Sequence, residues 1–215
     1  MADKPPPDDR STDEFLTGAY GLDGLADALA FYAKWADDYD QRMVKRLGYI
    51  APHRCAEHLA RHVDDRSALV LDVGCGTGLT SHYLAELGFS RFDGIDISPE
   101  MLVKARERGI YGELIEADVT KPFAVAEATY DAAISSGTFT LGHVGSEPFD
   151  EIVRVLKPGA MFACTIHKDI WQPKGFAAKV SALEAAGALR TVDVSFDEFF
   201  QGLESTAMYC MFQRL

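Results

Sequence analysis

The chain is short of cysteine, of positive charge and of long apolar runs, and each shortage excludes something. Its four cysteines, Cys55, Cys75, Cys164 and Cys210, form no C-x-x-C pair and no Cys/His cluster at zinc spacing, so neither a disulfide framework nor a bound metal is expected. No run approaches the roughly 18 apolar residues of a membrane helix, and no membrane partner is expected. Lys and Arg number 21 against 33 Asp and Glu, a formal net charge of −12, with no basic block. Because duplex binding rests on clustered cations facing phosphates, nucleic acid is not an expected partner. The acidity reads as solubility. The opening MADKPPPDDRSTD is polar and Pro-rich rather than basic and then apolar, unlike a secretory signal. A reducing cytoplasm is the expected location, and oligomeric state is left open.

At 215 residues the chain is expected to form one domain over residues 14–215, preceded by a disordered tail at 1–13. From Leu25 the apolar positions Leu29, Tyr32, Ala36, Tyr39, Met43 and Leu47 recur every three or four residues, which predicts helical structure with breaks. A further helix is predicted near Pro52 to Val63, with Pro52 suited to its first turn.

The stretch LVLDVGCGTGLTSHYLAELG, Leu69 to Gly88, organises the rest of the chain. It reads as a buried strand, a glycine turn and a helix. Glycines serve a tight turn and let a ligand approach the main chain. Gly74, Gly76 and Gly78 do not match the dinucleotide register G-x-G-x-x-G, where the third glycine would stand at Leu79, so a nicotinamide cofactor is disfavoured. Asp72, at the strand's carboxyl end, could accept hydrogen bonds from an ammonium or, through water, from a ligand's amino group. Asp96 stands 18 positions after Gly78 at the end of a second predicted strand, where a carboxylate can take both hydroxyls of a ribose. Ser98-Pro99 then opens a helix. Further strands are predicted at Glu113–Ala117, Tyr130–Ile134, Met161–Ile166, Thr191–Val194 and Met208–Phe212, with helices between them. Small residues Ser135, Ser136, Gly137 and Thr138 keep the exit of the fourth strand open, where open α/β sheets bind ligands. The helix from Phe149 is expected to stop at a Lys157-Pro158-Gly159 turn.

DVGCGTG resembles the first motif of the class I methyltransferases that bind S-adenosylmethionine, and GIDIS, Ala117-Asp118-Val119 and RVLKPGA resemble later elements of the same family. The resemblance implies a Rossmann-like, doubly wound α/β fold with a seven-stranded sheet, mostly parallel with one antiparallel strand near the C-terminus. It implies that Asp96 contacts the ribose and that Ile97 and Met101 contact the adenine. Asp118 would take the adenine amino group, and the Val119 N–H a ring nitrogen. FYAKWADDYD, Phe31 to Asp40, resembles the segment that such enzymes fold over the cofactor, so residues 14 to about 65 are expected to form a helical cover with Tyr39 at the reaction. The nearest resemblance, carried by Trp35–Asp40, DVGCGTGL and GTFTLGHV, is to the methyltransferase-like protein family of the Williams–Beuren syndrome region and its bacterial relatives.

Methyl transfer from a sulfonium needs alignment and, for some acceptors, loss of a proton. His143, in the loop after the fourth strand, is the candidate base for a hydroxyl, thiol or acidic carbon of a small-molecule acceptor. Tyr32, Trp35, Ser136, His167 and Trp171 are the candidates for the acceptor pocket. The loop lacks an N-P-P-Y motif, which removes support for amino nitrogens of nucleic acid or glutamine. A module that binds S-adenosylmethionine or its product without transferring methyl is the alternative, and a nicotinamide-dependent oxidoreductase a more distant one.

Overall fold

The computed structural model of the chain describes residues 13–23, 25–203 and 207–215. Seven strands, β1 (Leu69–Val73), β2 (Arg91–Asp96), β3 (Tyr111–Glu116), β4 (Tyr130–Phe139), β5 (Leu156–His167), β6 (Leu189–Asp197) and β7 (Ala207–Arg214), form one sheet. Its spatial order is β3-β2-β1-β4-β5-β7-β6. Neighbours pair in parallel except β7, which is antiparallel to both β5 and β6. The expected Rossmann-like sheet with one reversed strand is therefore present. The chain runs outward from β1 to β3, then returns to place β4 on the other side of β1, and the switch point lies between β1 and β4. A crevice opens there at the carboxyl ends of the strands.

Alternate side chains of the strands feed two cores. Val70, Ala132, Ile134, Ala163 and Met211 pack with residues of α1 (Glu14–Tyr20), α3 (Ala51–Ala60) and α4 (Leu79–Glu86). Leu71, Ala133, Phe162 and Phe212 pack on the opposite face with α6 (Phe149–Val155) and α7 (Phe176–Ala185). Each large side chain so buried contributes about 1.5–3 kcal/mol, and burial on both faces explains the unbroken apolar runs of β1 and β4. Between β2 and β3, α5 (Pro99–Glu107) is capped by the Ser98 hydroxyl, which accepts from the Met101 N–H.

Several element ends lie a few residues from the predicted ones, and one predicted turn is replaced. The Lys157-Pro158-Gly159 turn is absorbed into β5, which begins at Leu156 directly after α6. The register passes from Tyr130↔Leu156 to Ala132↔Met161, so the extra residues form a bulge in which Gly159 takes φ +84°, and Lys157 Nζ reaches Asp131 at 2.6 Å. The break expected in the helical stretch from Leu25 falls after Trp35, where α2 (Leu25–Trp35) ends, and helix resumes as a π-helical segment, Gln41–Arg46. Asp37 and Asp38 follow the end of α2 and oppose its dipole.

Residues 1–12 of the predicted tail lie outside the described residues. Asp13, assigned to that tail by composition, is a structural residue instead. It is buried, caps α1 by accepting from the Phe15 N–H at 2.8 Å, and receives Arg42 at 2.9 Å and Arg46 at 3.2 Å. Burial alone would raise its carboxyl, but the Phe15 N–H and the two guanidiniums overcome this and hold it below the usual carboxylate range. Asp13→Ala removes a cap and leaves Arg42 without its partner. A loss of about 1–3 kcal/mol of stability is expected in denaturant titrations near neutral pH. Because the folded pKa is depressed, the difference should shrink as pH falls below about 4, and a variant as stable as the wild type would contradict this role.

Candidate active site

At the end of β1 the chain turns through Gly74, Cys75 and Gly76. The N–H groups of Gly74 and Cys75 both donate to the carbonyl of Ile95 in β2, at 2.8 and 3.0 Å. Gly74 has φ +67°, and a Cβ there would overlap the Thr138 side chain, so only glycine passes between β1 and the exit of β4. The Gly76 N–H donates to Asp96 Oδ2 at 2.8 Å and the Ser98 N–H to Oδ1 at 2.9 Å. Burial raises the Asp96 carboxyl, with these N–H groups opposing. The loop of β1 and the acid of β2 are one unit.

Above this unit lies a cavity of about 470 Å³, within the size range of small-molecule sites. Of the residues named from the sequence, Tyr39, Gly74, Gly76, Asp96, Ile97, Met101, Asp118 and Val119 line it, and so do Tyr32, Ser136 and His143. Asp118 Oδ1 accepts from the N–H and hydroxyl of Thr120, at 2.9 and 2.6 Å. The segment after α2 is tied to the glycine loop: Asp40 accepts from the Thr77 hydroxyl at 2.5 Å and pairs with Arg108, whose Nε donates to the Thr77 carbonyl. Asp37 meets Lys104 at 2.8 Å.

Six named residues are not on the cavity wall. Asp72 is buried beneath the loop, where Oδ2 accepts from Ser81 at 2.6 Å and Tyr111 at 2.8 Å. Gly78, at φ +81°, begins α4 with Tyr111 against it. Ser135 is buried and donates to the Val73 carbonyl at 2.7 Å, tying β4 to β1. Trp35 packs edge-on to Phe15, with the Arg42 guanidinium 4.5 Å over its ring. His167 is buried at the end of β5 near Tyr20, and Trp171 stacks on Phe176. For Asp72 and Ser135, expected at the cofactor, and for Trp35, His167 and Trp171, expected in the acceptor pocket, a core or loop contact uses the side chain instead.

Residues that sequence reasoning did not single out complete the wall, among them Leu22, Asp23, Ala28, Thr120, Val144 and Lys174. Lys174 lies in a QPKG connection with no motif to mark it. His143 sits opposite the glycine loop with defined tautomeric form. Its Nδ1–H donates to the Leu141 carbonyl at 2.7 Å, which leaves Nε2 as the acceptor for the Tyr32 hydroxyl. Burial lowers its pKa below the ordinary 6.5, the Leu141 carbonyl opposing and the Lys174 charge adding to the fall. The imidazole is neutral at pH 7, as a base requires.

The donor set fits a nucleoside carrying an amino acid: an open glycine turn, a buried carboxylate at the end of β2 for a diol, and apolar Ile97, Met101 and Val119 beside Asp118 for a purine. Nothing stands within 4 Å of a Cβ built on Gly76, so the main chain there is open to a ligand.

This fold and site define a class I methyltransferase, an enzyme that uses S-adenosylmethionine. The chain belongs to that family: a methyltransferase-domain profile matches residues 70–159, and human methyltransferase-like protein 27 is 35% identical over 178 residues, covering 80% of this chain and 72% of the human protein. An 18S rRNA (guanine-N(7))-methyltransferase of Bos taurus is 43% identical over 72 residues, 34% of this chain and 25% of the bovine protein. Among solved structures, Burkholderia thailandensis 1,6-didemethyltoxoflavin-N1-methyltransferase with bound 1,6-didemethyltoxoflavin and S-adenosylhomocysteine aligns with a TM-score of 0.63 at 17% identity, over 90% of this chain and 91% of that one.

The bovine relative corrects one expectation, that nucleic acid is no partner and small molecules the only ones. A relative named for an rRNA substrate shares a segment of this chain, and a net charge summed over 215 residues does not describe the surface beside one cavity. No helix among the described residues is long and apolar enough to cross a membrane.

Asp72 carries a testable consequence. Burial raises its carboxyl to about 6, the Ser81 and Tyr111 hydroxyls opposing. With a folded pKa above the unfolded one, the native state binds more protons, and this contribution to stability is lost as pH rises from about 4 through about 6. Asp72→Asn accepts from the same hydroxyls without the charge. Its stability relative to the wild type should rise between about pH 5 and pH 8, by on the order of 1–3 kcal/mol in paired thermal melts. A difference independent of pH would show that Asp72 does not titrate in this range.

Proposed function

We propose that the enzyme methylates an oxygen, sulfur or acidic carbon of a small molecule that enters between the cover and the β4 exit, with His143 as base. The observation that carries this reading is the Tyr32–His143 hydrogen bond on the cavity wall. Nε2 is unprotonated because Nδ1–H is committed to Leu141, and the Tyr32 hydroxyl occupies the position that an acceptor's O–H or S–H would take toward it. S-adenosylmethionine supplies the methyl group on a sulfonium leaving arrangement. Asp96 orients the ribose, Ile97, Met101 and Val119 enclose the adenine, Asp118 takes its amino group, and Tyr39 closes the cover over the reaction. The acceptor's proton would pass to His143 Nε2 as the acceptor's own lone pair bonds to the methyl carbon and the carbon–sulfur bond electrons stay with sulfur. The cover, about residues 14–65, works with the rest of the chain as a single domain. Four free, buried cysteines support a reducing cytoplasm as its location.

The reading is tested with methyl-labelled S-adenosylmethionine offered, in parallel, a small-metabolite filtrate and an RNA fraction. Label should move to a metabolite; label in RNA alone would overturn the proposal. His143→Gln should lower kcat/KM by about 10²–10⁴ with unchanged affinity for S-adenosylmethionine. The wild-type rate should rise with pH to a plateau, with a midpoint below the ordinary histidine value of about 6.5, and the variant should lack that step. Asp96→Asn separates binding from chemistry: S-adenosylmethionine affinity should fall by roughly 10- to 150-fold, the worth of one charged hydrogen bond of about 1.5–3 kcal/mol. Calorimetry showing wild-type affinity would remove Asp96 from the ribose role.

A further inference from the structure

We propose that the acceptor is a small apolar acid, carrying beside its reacting atom a group that is anionic at neutral pH, and that Lys174 is the residue that selects it. This rests on the reading of His143 as the acceptor-side base. Among the described residues Lys174 is the one cationic side chain on the cavity wall, in a chain where acids outnumber bases. The residue is half-buried, and its ammonium donates to the carbonyl oxygen of His143, the same residue whose ring is bonded by the Tyr32 hydroxyl. An ammonium has three N–H donors, and Lys174 has no carboxylate partner among the described residues. Asp23, exposed on the rim of the same cavity, makes no ion pair with it.

The distribution of charge around the cavity gives the ligand a direction. Asp96 and Asp118 stand where the nucleoside fits, and each already holds backbone N–H donors. Lys174 stands beside His143, and Leu22, Ala28 and Val144 add apolar wall. A half-buried cation facing apolar surface favours a ligand that brings an anion on an apolar body, because the pair is screened less than it would be in water. The anion is a spectator. It would anchor to Lys174 while the proton of a separate O–H, S–H or C–H goes to His143 Nε2, the acceptor oxygen, sulfur or carbon that lost the proton bonds to the methyl carbon, and the carbon–sulfur bond electrons return to sulfur.

The test divides the small-metabolite filtrate by anion exchange at neutral pH. Retained and unretained fractions are each incubated with methyl-labelled S-adenosylmethionine and the full-length protein. Label should be accepted from the retained fraction. With the acceptor isolated from it, Lys174→Met should raise KM by about 10-fold or more, leave kcat within about threefold, and leave S-adenosylmethionine affinity unchanged, while Lys174→Arg should keep most of the wild-type KM. Label confined to the unretained fraction overturns the proposal and leaves the methyltransferase reading intact, and so does an unchanged KM in Lys174→Met. Label from neither fraction overturns both. The fractionation uses the wild-type protein, so a poorly folding variant does not protect the idea.

Discussion

The carboxylate of Asp96 and the glycine loop hold one another, and the rest of the site depends on that contact. A loop containing Gly74 and Gly76 has too many accessible backbone conformations to present a ligand surface unaided. Two N–H donors to the Ile95 carbonyl and a third to Asp96 Oδ2 choose one of them. The same bonds fix the carboxylate, which a buried acid requires, since an unpaired ion in the interior costs several kcal/mol. Strand pairing makes this possible: β1 and β2 run in parallel register from Leu69↔Arg91 to Val73↔Ile95, so their carboxyl ends arrive side by side.

A second contact transmits this order to the cover. Asp40 lies directly after Tyr39 and reaches both Thr77 in the loop and Arg108 beyond α5. Tyr39 is thereby carried over the cavity by its neighbour's ionic contact, while Tyr32, one α2 surface away, reaches His143. The break after Trp35 is what allows this. With the turn at 36–38, Asp37 meets Lys104 and Asp40 meets Arg108, both on the α5 side.

The sheet and the gathering of the motif residues at one cavity were legible in the sequence because they rest on local chemistry. Glycines before a helix, an acid at a strand end and a Ser-Pro cap are decided within a few residues, and Gly74, Gly76, Asp96, Ile97, Met101, Asp118 and Val119 all meet at the cavity. The acceptor end was only half legible. Trp35, His167 and Trp171 have the right chemistry for a pocket, yet Phe15, Tyr20 and Phe176 claim them, and those contacts join segments that local pattern does not connect. Asp72 shows the same effect within a motif: Tyr111, 39 residues away, and Ser81 take its Oδ2. Lys174 carries no local signal at all, since its place is set by where the β5–α7 connection meets the loop after β4.

That meeting couples two charges. The Lys174 ammonium helps to hold His143 unprotonated, because an imidazolium beside it would face a like charge. Burial is the larger cause of the lowered pKa, and the Lys174 charge adds to it against the Leu141 carbonyl. On the proposal above, an acceptor anion seated on Lys174 would neutralise that charge beside the imidazole.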